Sequence, residues 1–343
     1  MPTALVTGSA GFIGFHLCRL LLDEGWRVIG VDNHNDYYDP ALKAAREAQL
    51  TARPGFRAIR GGVEDQGLLT ATFAEEAPEI VIHLAAQAGV RYSIENPRAY
   101  VQANLLGTFE LLEAARAHPP RHMLLASTSS VFGANTEMPY RETDKADTPM
   151  SFYAATKKSN EAMAHSYANL FGLPITMFRF FTVYGPWGRP DMAPALFTDA
   201  ITEGRPIRVF NNGDMKRDFT YVTDLVRAIR LLVDAVPGTA PAVQGDSLSP
   251  VAPYRVVNIG NGQPVQLMDF IAAIERATGL EAIRRFEPMQ PGDVPATWAD
   301  TALLQQLTGY KPQTRLEDGI AAYVDWFLGY HGRGAAAQVK AAG

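Results

Sequence analysis

The stretch A-L-V-T-G-S-A-G-F-I-G, Ala4 to Gly14, decides the fold. A short apolar run ends at Thr7, glycines follow at positions 8, 11 and 14, and helical periodicity then runs from Phe15 to Gly25. This is strand, glycine turn, helix. Without side chains, Gly8, Gly11 and Gly14 let the backbone approach a pyrophosphate, whose charge the positive end of the following helix favours. The next strand, Arg27 to Val31, ends at Asp32. An acid about 20 residues beyond the glycines, at the tip of the second strand, accepts hydrogen bonds from the ribose hydroxyls of an adenosine. Asn33 stands where a binder of the 2′-phosphate often carries a basic residue, so NAD is expected rather than NADP. The plainer reading, a glycine turn that only packs a helix on a strand, leaves Asp32 without a purpose.

Composition agrees with an enzyme free of membrane and nucleic acid. At 343 residues, 47% hydrophobic and 20% charged, the chain is expected to form two domains or one large α/β unit with an appendage. A net charge of -5 and a pI near 5.8 offer no global attraction to nucleic acid or acidic membranes. No apolar run approaches the ~20 residues of a membrane span, and a strand begins at once, with no room for a signal peptide. The single cysteine, Cys18, lies in the apolar stretch L-C-R-L-L-L and reads as a buried packing residue. The expected compartment is the cytoplasm.

Apolar runs at Arg57 to Arg60, Glu79 to Leu84, His122 to Ala126 and Ile175 to Phe180 alternate with helical stretches such as Pro97 to Ala117 and Phe152 to Phe171. The fold class predicted is α/β, a Rossmann-type doubly wound parallel sheet over residues 1–181. A smaller mixed α/β substrate domain is expected over 182–332, the chain interleaving between the two. Residues 333–343 are expected to be a frayed tail. Pro237 to Pro253, rich in small residues and without periodicity, reads as a mobile surface loop.

Farther along, S-F-Y-A-A-T-K at Ser151 to Lys157 sets Tyr153 and Lys157 four residues apart, on one helix face. An ammonium beside a phenol favours the phenolate, so the pair can supply a base that works near neutral pH. Taken alone, such a pair is more often a solvated tyrosine and lysine. The Asp, His and Tyr residues from Asp32 to Asp39 fit no zinc or calcium spacing, so no metal is expected.

Together with H-L-A-A at His83 to Ala86, Asn104 and S-T-S-S-V-F-G at Ser127 to Gly133, these motifs resemble the extended short-chain dehydrogenase/reductase family over nearly the whole chain. Four longer strings narrow the resemblance to the UDP-glucuronate 4-epimerases. They are D-N-H-N-D-Y-Y-D-P from Asp32, L-A-A-Q-A-G-V-R-Y-S from Leu84, Y-G-P-W-G-R-P-D-M-A from Tyr184 and M-Q-P-G-D-V from Met289. The resemblance implies a tightly held NAD and a UDP-sugar that is oxidised and re-reduced at C4 without net redox change. It also implies a homodimer formed through the helices at 97–117 and 152–171.

The family pattern assigns the cofactor to Gly8, Gly11, Phe12, Ile13, Gly14, Asp32, Asn33, Val63, Leu84, Ala85, Ala86, Gln87, Asn104, Tyr153 and Lys157. Tyr153 would take the proton of the sugar 4-hydroxyl, Lys157 would lower the tyrosine pKa, and Thr128 would hydrogen-bond the reacting oxygen. Oxidation of glucuronate at C4 places a ketone β to the C6 carboxylate, and such keto acids lose carbon dioxide readily. Ser127, Thr128, Ser129, Ser130 and Thr182 offer neutral hydroxyls to restrain that carboxylate. Related dehydratases and decarboxylases carry an acid at this place, whereas this chain has Ser129 and Ser130. Arg217 is expected at the diphosphate and Arg189 close to the sugar nucleotide, Phe210 near the uridine and Asp293 at its ribose. Gly62 departs from an aspartate that many relatives use for the adenine amine, so Asp65 or backbone groups are expected to substitute. Ala88 departs from a lysine of the UDP-galactose 4-epimerases. Neutral UDP-hexose or UDP-N-acetylhexosamine epimerisation stays open, as does a catalytically silent NAD-sensing protein.

Overall fold

The structure is a computed structural model that describes residues 1–289 and 294–333. In chain order the first elements are β1 (Thr3–Thr7), α1 (Phe12–Asp23), β2 (Arg27–Asp32), α2 (Pro40–Thr51), β3 (Phe56–Arg60), α3 (Leu68–Glu76), β4 (Ile80–His83), α4 (Tyr92–Glu95) and α5 (Pro97–Tyr100). A π-helical segment (Val101–Leu106) joins α5 to α6 (Gly107–Ala117), followed by β5 (His122–Ala126), a 3-10 turn (Ser129–Phe132), α7 (Phe152–Phe171) and β6 (Ile175–Phe180). The later elements are β7 (Thr182–Tyr184), α8 (Ala193–Glu203), β8 (Ile207–Phe210), β9 (Lys216–Tyr221), α9 (Val222–Leu232) and β10 (Tyr254–Ile259). After them come β11 (Pro264–Gln266), α10 (Leu267–Thr278), β12 (Arg284–Glu287), β13 (Ala296–Thr297), α11 (Ala302–Thr308) and α12 (Leu316–Tyr330).

Two compact units emerge. The first comprises residues 1–180, 226–259 and 300–311, and the second the other described residues. In the first, seven parallel strands lie in the order β3-β2-β1-β4-β5-β6-β10. The chain moves outward to β3, then crosses to β4 on the other side of β1, so strand order reverses between β1 and β4. Ligands of such sheets bind beyond the carboxyl ends of the strands at this reversal. Strands β1, β2, β4 and β5 are almost wholly buried, as a sheet covered on both faces requires. Leu5, Val81, Met123 and Met177 pack with Leu111, Leu112 and Ala164 from α6 and α7. Cys18 is buried in α1, as expected.

The second unit is built on β9, which pairs in parallel with β7 and β13 and antiparallel with β11, and on a two-stranded β8–β12 ladder. Its core joins Tyr184, Phe219, Phe270, Ile274, Tyr323 and Phe327, with the Phe219 and Phe270 rings stacked 4.3 Å apart. No helix among the described residues is long and apolar enough to cross a membrane. Residues 334–343 of the expected tail lie outside the described residues.

Two expectations need correction. Residues 97–117 are not one α-helix, because the backbone widens into the π segment between α5 and α6. Residues 237–253 lack secondary structure, as their composition suggested, but the segment is pinned. Asp246 forks onto Arg255 at 2.8 and 2.9 Å, with both side chains buried. Its carboxylate also accepts from the amides of Val243 and Leu248, and Ser249 meets His165 at 2.9 Å. Asp246→Ala should therefore cost about 3–5 kcal/mol, because it leaves a buried guanidinium without its carboxylate. Urea unfolding of the variant checks this, and a loss below about 1 kcal/mol would contradict the pinned loop.

Candidate active site

The glycine turn is tight enough to exclude side chains. A Cβ on Gly14 would lie 2.0 Å from the Gly8 carbonyl oxygen, and one on Gly8, whose φ is +72°, would lie 2.8 Å from the Ala85 nitrogen. The loop after β1 therefore presses against the loop after β4 and offers bare backbone at the start of α1. Asp32 ends β2 and is buried. Its Oδ2 accepts from the Ala10 nitrogen at 3.1 Å and its Oδ1 from the His34 nitrogen at 2.8 Å. Each oxygen keeps a further lone pair for a ribose hydroxyl. Bare turn, helix start and strand-tip acid together fit a dinucleotide.

Around this turn the other expected cofactor residues gather at the carboxyl edge of the sheet. Phe12 is buried and Ile13 half-buried in the first turn of α1, while Asn33 is exposed. Val63 is buried beneath Gly107, where an added Cβ would come within 2.6 Å of it. Leu84 and Ala85 are held by the Thr7 hydroxyl, which accepts from both amides at 3.2 Å. The same hydroxyl lies 2.7 Å from His83 Nδ1. Having one proton, it donates there, so the proton of neutral His83 sits on Nε2, toward Thr108. Burial, with Lys157 nearby, pushes the His83 pKa down to about 3. Ala86 is half-buried and Gln87 buried.

Asn104, in the π segment, is a clamp. Its Oδ1 accepts from the Gln87 nitrogen at 2.8 Å, and its Nδ2 donates to the Gln87 carbonyl at 3.1 Å and to Thr156 Oγ1 at 3.0 Å. Thr156 in turn donates to the Tyr153 carbonyl at 2.8 Å. Thus the loop after β4 is tied to the first turn of α7. Asp65, considered for the adenine amine, accepts from the Gly62 nitrogen at 2.7 Å and closes its own turn.

Helix α7 starts where Ser151 accepts from the Ala154 nitrogen at 3.1 Å and stops at left-handed Gly172. Tyr153 is buried near its start, its ring 6.0 Å from that of Tyr100. One turn on, Lys157 is 2% exposed. Burial lowers its pKa to about 8, with Glu161 opposing the fall, so at neutral pH the ammonium predominates.

Thr128 follows β5 and caps the 3-10 turn. Its Oγ1 accepts from the Ser130 nitrogen at 3.2 Å and donates to Ser130 Oγ at 3.3 Å. Ser129 and Ser130 are half-buried. Ser127 departs from the expected row of donors, because it is buried and donates to Glu161 Oε1 at 2.6 Å. Sequence reasoning also missed Glu161 and Arg179, whose Nε and Nη2 fork onto the Glu161 carboxylate at 2.8 Å each. Burial would raise the Glu161 pKa, but Arg179, Lys158 and Ser127 hold it below the usual carboxylate range.

In the second unit, Thr182 opens β7, half-buried, and stands opposite Phe219. Arg189 Nε donates to Asp191 at 2.9 Å. Arg217 Nη1 donates to the carbonyls of Lys216 and Pro295 at 2.9 and 3.2 Å. Beside it, buried Asp218 accepts from the amides of Asn261, Gly262 and Ala299 at 2.8, 2.9 and 3.2 Å, fixing the loops around β9. Phe210 lies 4.8 Å beneath the Arg208 guanidinium. Asp293 lies outside the described residues.

Comparison with known proteins agrees with this geometry. The sequence profile of the NAD dependent epimerase/dehydratase family matches residues 4–260. The chain is 54% identical over 327 residues to the probable UDP-glucuronate 4-epimerase of Rhizobium meliloti (strain 1021), covering 94% of this chain and 96% of the relative. UDP-glucuronate 4-epimerase 4 of Arabidopsis thaliana is 45% identical over 334 residues, 96% of this chain and 76% of its own length. The crystal structure of UDP-glucuronic acid 4-epimerase from Bacillus cereus, in complex with UDP-glucuronic acid and NAD, matches with a TM-score of 0.84 at 32% identity. That match covers 96% of this chain and 99% of the other.

Glu142, whose carbonyl accepts from Arg179 at 3.2 Å, carries a buried carboxyl in the first unit. Burial pushes its carboxyl up to about 7, against a hydrogen bond from the Asn258 nitrogen. A carboxyl raised in the folded state stabilises fully below its unfolded pKa and loses that stability as pH rises through the folded one. For Glu142 the window runs from about 4.5 to about 7. Urea unfolding at both ends of this window should show wild type losing on the order of 3 kcal/mol more than Glu142→Gln. Equal losses would contradict the assignment.

Proposed function

The chain belongs to the NAD dependent epimerase/dehydratase family, and from that premise we propose that it epimerises UDP-glucuronate at C4 to UDP-galacturonate without loss of carbon dioxide. One observation carries the choice of substrate. The turn after β5 presents Thr128, Ser129 and Ser130, all neutral hydroxyls, where an acid would serve elimination or decarboxylation. The relatives named above support the same reading.

Bound NAD supplies the reversible hydride acceptance at C4. Gly8, Gly11, Phe12, Ile13 and Gly14 are assigned to its pyrophosphate, Asp32 and Asn33 to its adenosine ribose, and Val63 and residues 84–87 to the walls around it. Asn104 holds that loop from behind. Tyr153 takes the proton of the 4-hydroxyl and later returns it to the same oxygen. Lys157 favours the phenolate by its charge. Thr128 holds the reacting oxygen in place for the transfer.

Thr128, Ser129, Ser130 and Thr182 restrain the C6 carboxylate by donating hydrogen bonds without protonating it. Neutral donors also tolerate the two orientations that the sugar ring must adopt. Arg217 is assigned to the diphosphate, Arg189 to the neighbourhood of the sugar nucleotide, Phe210 to the uridine and Asp293 to its ribose. Cytoplasmic location belongs to this reading, in keeping with a single, buried cysteine.

A homodimer completes it. Leu106, Phe109, Phe152, Leu170 and Phe171 are exposed apolar residues of the π segment, α6 and α7, apolar surface suited to a second copy. Leu106→Glu with Phe109→Glu should yield monomers in sedimentation, and an unchanged dimer would remove these helices from the interface.

The reaction is tested by NMR of UDP-glucuronate incubated with the protein and NAD. Conversion to UDP-galacturonate without released carbon dioxide is expected. UDP-xylose or a 4-keto pentose would overturn the carboxylate-restraint argument, and no conversion would overturn the substrate. Tyr153→Phe should lower kcat by about 10²–10⁴-fold, and wild-type turnover in that variant would remove Tyr153 from its role.

A further inference from the structure

We propose that Glu161 is a positioning residue of the proton-transfer site, keeping the Lys157 ammonium charged and fixing the strand end that carries Thr128. The inference rests on the epimerase reading above and adds a residue to it. Lys157 and Glu161 are four apart on α7, one face of the helix, and both are buried. The Glu161 carboxylate ties α7 to two strands. Ser127, at the end of β5, donates to Oε1, and Arg179, on β6, donates to both oxygens. Thr128 is the next residue after Ser127, and the Ser127 nitrogen bonds the Phe178 carbonyl at 2.8 Å. One carboxylate thus spaces the Thr128 backbone from the helix that presents Tyr153.

The charges around Lys157 leave Glu161 as its counter-charge. His83, from β4, is neutral, since burial and Lys157 itself lower its pKa. Tyr100, from α5, packs on the Tyr153 ring. Arg179 is a second cation, shared between Glu161 and the carbonyl of Glu142. Lys158, on the same helix, reaches Glu161 at 3.2 Å. Tyr254, from β10, is kept protonated by burial and by Glu161, and the buried Glu142 carboxyl faces Asn258. Burial lowers the Lys157 pKa, and Glu161 is the group that opposes the fall. A buried Glu–Arg pair is weak evidence of stability, since apolar residues of similar volume often replace one at no cost. Glu161 lies one turn beyond Lys157 and takes the hydroxyl of Ser127, the residue before Thr128, which gives the pair a reason other than stability.

Removing the negative charge lets the coupled Tyr153–Lys157 pair lose its proton at lower pH, whichever member carries it. The test uses the NAD-loaded protein as Glu161→Gln and as Glu161→Gln with Arg179→Met, which leaves no guanidinium buried without its carboxylate. Two readouts are taken: the pH profile of kcat/KM for UDP-glucuronate, and ultraviolet titration of the tyrosinate against a Tyr153→Phe control. We expect the acid limb and the titration midpoint to move down by about one pH unit. In Glu161→Asp, which keeps the charge, they should return toward wild type. A fall in kcat with both midpoints unmoved would mean that Glu161 is merely structural and would overturn the inference. Because the titration needs no turnover, it reports on Glu161 even if the epimerase reading fails in the NMR assay.

Discussion

The close backbone approach between Gly8 and Gly14 is the constraint from which the rest of the first unit follows. With 2.0 Å between the Gly8 oxygen and any Cβ added at Gly14, only a glycine permits the chain to turn so sharply from β1 into α1. That turn sets the bare amides of the helix start at the carboxyl edge of the sheet, where a phosphate is favoured by both the free N–H groups and the helix dipole. It also brings Ala10 to Asp32 and Gly8 to Ala85. Loops from three adjacent strands are therefore registered by one local geometry.

Beyond the turn, position depends on buried polar groups rather than on apolar packing. Apolar contacts are non-directional and leave a loop free to slide, whereas hydrogen bonds specify distance and angle. Asn104 ties the loop after β4 to α7, Thr7 ties it to β1, and Glu161 ties α7 to β5 and β6. Asp218 does the same for the loops around β9 in the second unit. Thr7 sits where β1 ends, while Asn104, Glu161 and Asp218 reach from inside regular elements to hold the segments beside them. Buried networks of this kind have a cost when any member is lost, which makes them poor places for substitution.

Features under the control of local physics can be read from the residues alone. Helix α7 was legible to the residue, because Ser151 caps one end and Gly172 closes the other. Strands β5 and β6 were equally legible from their unbroken apolar runs, and Asp32 from its distance to the glycine turn. The tertiary structure decided what depends on partners far apart in the chain. The π segment within 97–117 was hidden, since its residues keep helical character while its hydrogen bonds shift. The 237–253 loop read as mobile because periodicity does not register a single Asp246–Arg255 pair. Nothing in the spacing of α7 marks Glu161, whose partners Arg179, 18 residues away, and Ser127, 34 away, meet it only in the fold. Spacing within a helix or strand is set by backbone geometry and is written in the sequence. Which polar side chain loses its water, and to which partner, is settled only when the strands are stacked in order.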